Sequence, residues 1–338
     1  MLRFALPSKG TLYDPTLQLL ERCGLRVSRP NLKQYTARIA TLPAAEVLFH
    51  RPSDIVAKVA TGDVDLGITG LDLVREEAGD DANLVVIEPD LGFARADLVL
   101  AVPEAWVDVQ GWLDVADLAA EFAAGGRQLR IATKYANLVR AFFYGRGVYS
   151  FTLIASQGAT EGAPGLGYAD MIADITETGT ALRENRLKIV PGSTILRSQA
   201  CLIGSRRSLL LDTDKRVTIR VILELLEAQR RAVGLQHIIA NVPGTDAAAV
   251  ASAVTAHAAL SGLQGPTLAP VFSSGARPEE LDWFSVSVVV PTDRILAAVD
   301  HLRTIGSTGI VVLPVHYAFA DQSETFTRLL ETLETDNL

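Results

Sequence analysis

Short apolar strands alternate with amphipathic helices from Leu2 to Ile203, and few folds accommodate that order. Leu2–Leu6 reads as a strand, and Leu12–Cys23 as a helix that stops at Gly24. Strands are expected at Thr36–Ala40 and Glu46–Phe49, then a helix capped by Ser53 that reaches Ala60. A buried strand at Val64–Ile68 runs through Thr69-Gly70 into a helix ending near Glu77, and Leu84–Ile87 is a further strand. A second segment repeats the order, with strand Leu98–Val102, helix Trp106–Ala124, strand Leu129–Ala132, helix Lys134–Tyr144 and strand Phe151–Ile154. Such alternation implies largely parallel sheets covered by helices, with ligands at the strand C-termini.

Glu161–Leu182 is the most informative stretch for function. Met171–Ile175 is a short strand, Thr176, Thr178, Gly179 and Thr180 make a turn, and Ala181–Asn185 begins a helix. A turn of this kind offers N–H and hydroxyl donors at the positive end of a helix dipole, which favours phosphate. Asp174 and Glu161 accept hydrogen bonds only when ionised, so they suit the hydroxyls of an attached sugar. A ribose 5-phosphate needs both elements. Composition alone favours an ordinary strand–turn–helix, because short Gly/Thr turns are common.

Beyond the turn, Leu187–Val190 and Gln199–Ile203 read as strands able to return to the first segment. Two α/β lobes with a crossover and a cleft resemble the periplasmic-binding-protein architecture. Asp212–Gly234 reads as one amphipathic helix, with Val217, Val221, Leu225 and Ala228 at helical spacing. The remainder reads as strand Gln236–Val242, helix Asp246–Leu260, strands Thr267–Phe272 and Trp283–Val290, helix Thr292–Thr304 and strand Ile310–Val315. That β-α-β-β-α-β order is the ferredoxin-like unit. The expected organisation is therefore residues 1–97 with 184–207 as lobe I, 98–183 as lobe II, 212–234 as a linker helix and 235–338 as a ferredoxin-like regulatory domain.

Composition narrows the classes further. The chain has 338 residues, 49% of them hydrophobic, which suffices for two or three cores. No apolar run approaches the roughly 18 residues of a membrane span, and the first ten residues carry no signal-peptide pattern. Two distant cysteines, Cys23 and Cys201, argue against a disulfide framework and for a cytoplasmic address. The histidines at 50, 237, 257, 301 and 316 show no ligand spacing. A net charge of −8 without a basic stripe excludes a typical nucleic-acid binder.

The run E-x5-G-x-G-x2-M-I-x-D-I-x-E-T-G-T, from Glu161 to Thr180, closely resembles the signature of the ATP phosphoribosyltransferase family. Leu6–Gly10, Arg51–Ile55, Gly62–Gly70, Leu129–Tyr135, Arg197–Ile203, Gly265–Pro270 and Gly309–Pro314 extend the resemblance over nearly the whole chain, in the family's long form. One departure stands out. Where the family pattern reads T-G-x-T-L, this chain has Thr178-Gly179-Thr180-Ala181-Leu182. The second hydroxyl is displaced by one residue, and the backbone share of phosphate binding is expected to persist.

The resemblance implies attack by N1 of ATP on C1 of phosphoribosyl pyrophosphate at the head of histidine biosynthesis, with Mg²⁺ carried mainly by the substrate's pyrophosphate. It places the 5-phosphate on Glu177, Thr178, Gly179, Thr180 and Ala181, and the ribose hydroxyls on Glu161 and Asp174. Lys9, Arg51 and Lys134 are candidates for the polyphosphates, and Tyr135 for stacking on adenine; surface and core roles stand beside these. The resemblance further implies feedback inhibition by histidine, with a pocket between subunits involving Asn241, Leu263, Thr267, Val289 and Gly309. It admits AMP as another ligand and a homo-oligomer built from dimers into hexamers. Two rivals share parts of the pattern: a solute-binding protein, and another biosynthetic enzyme bearing an amino-acid-sensing domain.

Overall fold

The computed structural model describes every residue except 30, 32, 33, 80, 157, 263, 264, 273–281 and 336–338. The chain divides into one unit of residues 1–219 with those from Arg328 on, and a second unit of Arg220–Thr327.

Lobe I of the first unit begins with β1 (Leu2–Pro7), α1 (Tyr13–Arg22), β2 (Val27–Ser28), β3 (Thr36–Ile39) and β4 (Ala45–His50). It continues through α2 (Pro52–Thr61), β5 (Leu66–Gly70), α3 (Leu71–Glu77) and β6 (Leu84–Glu88). Lobe II comprises β7 (Ala96–Pro103), α4 (Trp112–Ala124), β8 (Leu129–Thr133), α5 (Ala136–Tyr144), β9 (Phe151–Ala155), β10 (Met171–Thr176), α6 (Thr180–Glu184) and β11 (Leu187–Ser198). The chain then re-enters lobe I as β12 (Ala200–Ser205), followed by α7 (Arg206–Leu211) and α8 (Thr213–Ala232). Two crossings between α/β lobes give the periplasmic-binding-protein-like arrangement.

The sheet of lobe I has the order β2-β3-β4-β1-β5-β12-β6, and that of lobe II β11-β7-β10-β8-β9. Parallel pairing is confined to β4-β1-β5 and β10-β8-β9; β12 runs antiparallel to β5 and β6, and β7 antiparallel to β10 and β11. The sheets are thus mixed: each crossing brings a strand in from the opposite end, and β2-β3-β4 pair antiparallel as sequential neighbours. The expected return of Leu187–Val190 to lobe I does not occur. That segment is the start of β11, a twelve-residue bulged strand on β7.

Packing explains the central strands. Every residue of β5 is buried, as a strand covered on both faces requires. A Cβ on Gly67 would lie 2.5 Å from Ile55 Cγ2, so this glycine lets α2 press onto the sheet. Ile55, Val56 and Val59 of α2 join Ala5, Cys201 and Ile203 in that core. Burial pushes the thiols of Cys23 and Cys201 up to about 11 and about 12, leaving both protonated and inert. Ser53 does not cap α2; Arg51 is the extended cap residue and Pro52 opens the helix, where a missing N–H costs nothing.

The second unit holds β13 (Leu235–Gly244), α9 (Ala247–Thr255), β14 (Thr267–Pro270), β15 (Asp282–Pro291), α10 (Ile295–Thr304) and β16 (Thr308–Pro314). Their sheet order β14-β15-β13-β16, antiparallel throughout, is that of a ferredoxin-like fold. Asp246 caps α9 by accepting the Ala249 N–H at 2.8 Å. Sequence periodicity missed α11 (Glu324–Thr335), whose Ser323 hydroxyl accepts the Phe326 N–H at 3.0 Å and whose Leu329 and Leu333 are buried.

Candidate functional site

The expected site residues fall into two groups in the first unit and one in the second. In lobe I, β1 and β4 are parallel neighbours, with Pro7 beside His50 in register. Their C-terminal ends release Lys9 and Arg51 into a common cavity of about 640 Å3, also lined by Ser8, Arg29, Tyr35, Phe49, His50 and Asp54. The Arg29 guanidinium lies 4.2 Å from the centre of the Phe49 ring and donates to the Gln34 carbonyl at 2.7 Å. Arg29 and His50 were missed in the sequence because neither belongs to a motif. Burial, and then the Lys58 charge, hold the His50 imidazole below its ordinary value, so the positive charge here rests on Lys9, Arg29 and Arg51. A cavity with three cations at strand C-termini suits an anionic polyphosphate.

In lobe II, β10 delivers Asp174 half-buried near its C-terminal end. The 3-10 turn Thr160–Gly162 packs on β10 and brings Glu161 into electrostatic range. Burial raises the Asp174 carboxyl above its ordinary value and the Glu161 charge adds to the rise; the Ile175 N–H at 2.8 Å, the Lys134 charge and the Thr160 hydroxyl oppose it. Lys134 follows β8, the parallel neighbour of β10, with Nζ 4.9 Å from the centre of the Tyr135 ring.

The turn after β10 is closed on itself. Gly179 is left-handed, with φ 71°, and its N–H donates to Thr176 Oγ1 at 2.9 Å rather than standing open. The Thr178 and Thr180 hydroxyls lie 2.8 Å apart, and Glu177, Thr178, Thr180 and Ala181 are exposed. The Arg183 guanidinium donates to the Thr178 carbonyl and to the Thr180 hydroxyl, each at 3.1 Å.

Tyr135 has no free face. Only 1% of it is exposed, and its hydroxyl donates to Asp72 Oδ2 of α3 at 2.6 Å. Its ring belongs to the lobe II core, which corrects the expectation of adenine stacking. The Ser198 hydroxyl donates to Asp72 Oδ1 at 2.7 Å, and one turn later Glu76 accepts the N–H groups of Asn137 and Leu138 at the start of α5. Two carboxylates of α3 thereby fasten lobe I to the helix that follows Lys134.

In the second unit, Asn241 of β13 is in register with Ser285 of β15 and Thr308 of β16, and a Cβ on Gly309 would lie 3.7 Å from Asn241 Nδ2. Val289 of β15 is opposite His237, and Thr267 of β14 is opposite Ser287. Thr267 and Gly309 therefore occupy opposite edge strands, roughly 14 Å apart at about 4.8 Å per strand. Leu263 lies outside the described residues.

Relatives define the class: a phosphoribosyltransferase, an enzyme of the glycosyltransferase kind. A family model described as "ATP phosphoribosyltransferase" matches residues 51–228, and one described as "HisG, C-terminal domain" matches residues 232–317. ATP phosphoribosyltransferase 2, chloroplastic, of Arabidopsis thaliana is 38% identical over 334 residues, covering 98% of this chain and 80% of the plant protein. ATP phosphoribosyltransferase of Nitrobacter winogradskyi is 38% identical over 333 residues, covering 98% of each. The solved ATP phosphoribosyl transferase (HisG:HisZ) complex from Thermotoga maritima is similar to 67% of this chain and 96% of its own, with 26% identity and a TM-score of 0.52. The chain belongs to the ATP phosphoribosyltransferase family, whose reaction is the first step of histidine biosynthesis.

Proposed function

We propose that lobe II holds the 5-phosphoribosyl group of phosphoribosyl pyrophosphate and that lobe I gathers the polyphosphate charge. The observation that carries this reading is that the 3-10 turn bearing Glu161 packs on β10, whose Asp174 leads directly into the Thr176–Ala181 turn. In the reaction the bond between C1 of ribose and the pyrophosphate oxygen breaks, and the electron pair leaves with pyrophosphate. The lone pair of adenine N1 forms the new bond to C1. Charge develops on ribose and on the leaving group, so the chain needs no nucleophile. Ionised Asp174 and Glu161 hold the ribose hydroxyls, each such bond worth about 1.5–3 kcal/mol, and orient C1. Lys9, Arg29 and Arg51 take the polyphosphate, and the Lys134 charge favours the carboxylate form of Asp174 against its burial.

Among the described residues no three His, Cys, Asp or Glu side chains gather as a metal cage. Mg²⁺ is read here as entering on the substrate's pyrophosphate, as the counter-charge such a group needs, and no step is assigned to a protein-held ion. No described helix is long and apolar enough to cross a membrane; a cytoplasmic address remains part of this reading.

The ferredoxin-like module serves as the histidine sensor. Asn241 and Gly309 lie together at one side of its sheet, whereas Thr267 lies on the far strand. Their separation favours a pocket completed by a second copy, in keeping with a dimer-based oligomer. Histidine inhibits by binding the inactive arrangement better than the active one. Release of pyrophosphate from ATP plus phosphoribosyl pyrophosphate tests the activity, and calorimetry with histidine tests the sensor. No turnover rejects the first, and no heat at millimolar histidine rejects the second.

A further inference from the structure

The start of α5 is capped by a residue that does not belong to it. Tyr135, which precedes the helix, provides no side-chain cap, so the first N–H groups of α5 need acceptors from elsewhere. Glu76 of α3 supplies them: Oε1 accepts the Asn137 N–H at 2.9 Å and Oε2 the Leu138 N–H at 3.0 Å. The Asn137 side-chain amide donates in return to the Glu76 carbonyl at 3.0 Å. A carboxylate at a helix N-terminus gains from the dipole as well as from the bonds. Because α3 belongs to lobe I and α5 to lobe II, the cap works across the lobe boundary, from 61 positions away in the chain.

What the cap holds lies just upstream. Thr133 of β8 is in register with Ala173 of β10, so Lys134 and Asp174 leave adjacent parallel strands side by side. The Lys134 charge acts on Asp174 together with the Ile175 N–H, the Thr160 hydroxyl and the opposing Glu161 charge. A lysine stem is flexible, and where its ammonium rests depends on the backbone that carries it. Here the ammonium lies 4.9 Å from the centre of the Tyr135 ring, and the Tyr135 N–H donates to Thr133 Oγ1 at 2.9 Å. A shift of residues 135–138 would therefore carry the ammonium with it.

We propose that Glu76 is a positioning residue of the phosphoribosyl site: by capping α5 from lobe I it fixes the segment after β8 and keeps the Lys134 ammonium on Asp174. This rests on the reading of Asp174 as the ribose-binding carboxylate. Glu76 touches no substrate, and its effect passes through Lys134.

The test compares Glu76→Ala and Glu76→Gln with Lys134→Gln and with the double variant Glu76→Ala/Lys134→Gln. The assay is pyrophosphate release across pH, read as the acid limb of kcat/KM for phosphoribosyl pyrophosphate, with thermal melting as the folding control. Loss of a helix cap should lower the melting temperature of Glu76→Ala by roughly 1–8 °C. A merely structural cap would stop there. A positioning cap should also lower kcat/KM by roughly 10-fold. It should move the acid limb to higher pH, as Lys134→Gln does, because a displaced cation no longer favours the Asp174 carboxylate. The sign decides, since loss of the Glu76 charge acting through space alone would move the limb to lower pH. Glu76→Gln keeps one acceptor and should fall between the parent and Glu76→Ala, and it carries the test if the alanine variant does not fold. In the double variant the limb should lie where Lys134→Gln alone puts it. A limb that stays put or moves to lower pH without Glu76, or shifts that add in the double variant, would overturn the proposal. If Lys134→Gln itself leaves the limb unmoved, the pairing of Lys134 with Asp174 is wrong and the proposal falls with it, whatever Glu76 does.

Discussion

Tyr135→Phe removes one oxygen from the join between the lobes and leaves the ring in place. The lost bond is a 2.6 Å hydroxyl donation to Asp72, a carboxylate only 8% exposed. Hydrogen bonds to charged groups are worth about 1.5–3 kcal/mol. Asp72 keeps its second hydroxyl donor, Ser198 at 2.7 Å, so the carboxylate is weakened rather than orphaned and the lower half of that range applies. For a unit of this size, about 2–4 °C of melting temperature follows each kcal/mol, which places the expected drop at about 3–9 °C. Burial and the facing Asp72 charge also push the Tyr135 phenol far above its ordinary value, so the hydroxyl stays protonated at any working pH. The assay is thermal melting of the whole chain beside KM for ATP. Melting should fall while KM for ATP stays within about twofold, because the buried ring touches no nucleotide. An unchanged melting temperature with an altered KM for ATP would refute the latch and restore the stacking role.

Other consequences follow from the same geometry. Gly179→Val should raise KM for phosphoribosyl pyrophosphate at least tenfold, since φ is 71° and a Cβ would lie 3.2 Å from Arg183 Nη1, whereas Thr180→Ala should be mild; the reverse ranking would mean that hydroxyls carry the turn. Asp174 has a raised pKa, so the acid limb of kcat/KM should lie above the ordinary aspartate value of about 3.9, and Lys134→Gln should move it to higher pH by removing a charge that favours the carboxylate. A limb unmoved by that change would separate Lys134 from Asp174. Asp65 is the opposite case. Burial opposes its ionisation, but the Arg3 N–H, Ser208 and Lys215 outweigh it and lower the pKa. Its stabilisation should be complete above about pH 3.9 and fade as pH falls through the lower folded value. Melting from pH 6 to 2 should show this loss in the parent and a flatter profile in Asp65→Asn.

Legibility in the sequence followed the range of the forces involved. Local signals placed the strands and helices, the Gly24 and Gly179 turns and the ferredoxin-like order. They failed where a local cap was passed over and where a partner distant in the chain decides. Trp106–Gly111 reads as helical by composition, yet α4 begins only at Trp112, where Asp114 accepts the Gly111 N–H and starts the helix. β11 joined lobe II because β7 offered an open edge, which no periodicity reveals. Lys9 and Arg51 came from motifs; Arg29 entered their cavity by resting on Phe49, a contact between segments about twenty residues apart in sequence. Tyr135 carried an ambiguous signal, and a carboxylate 63 positions away resolved it as core.

Asp174→Asn tests the phosphoribosyl site most directly. Burial disfavours the Asp174 carboxylate, so the neutral amide should leave the melting temperature at pH 7 unchanged or higher. It also forfeits a charged acceptor for the ribose hydroxyls. Pyrophosphate release measured against phosphoribosyl pyrophosphate should then show kcat/KM lower by roughly 10- to 150-fold. Near-normal kcat/KM in a variant that melts like the parent would contradict the account and remove Asp174 from the site.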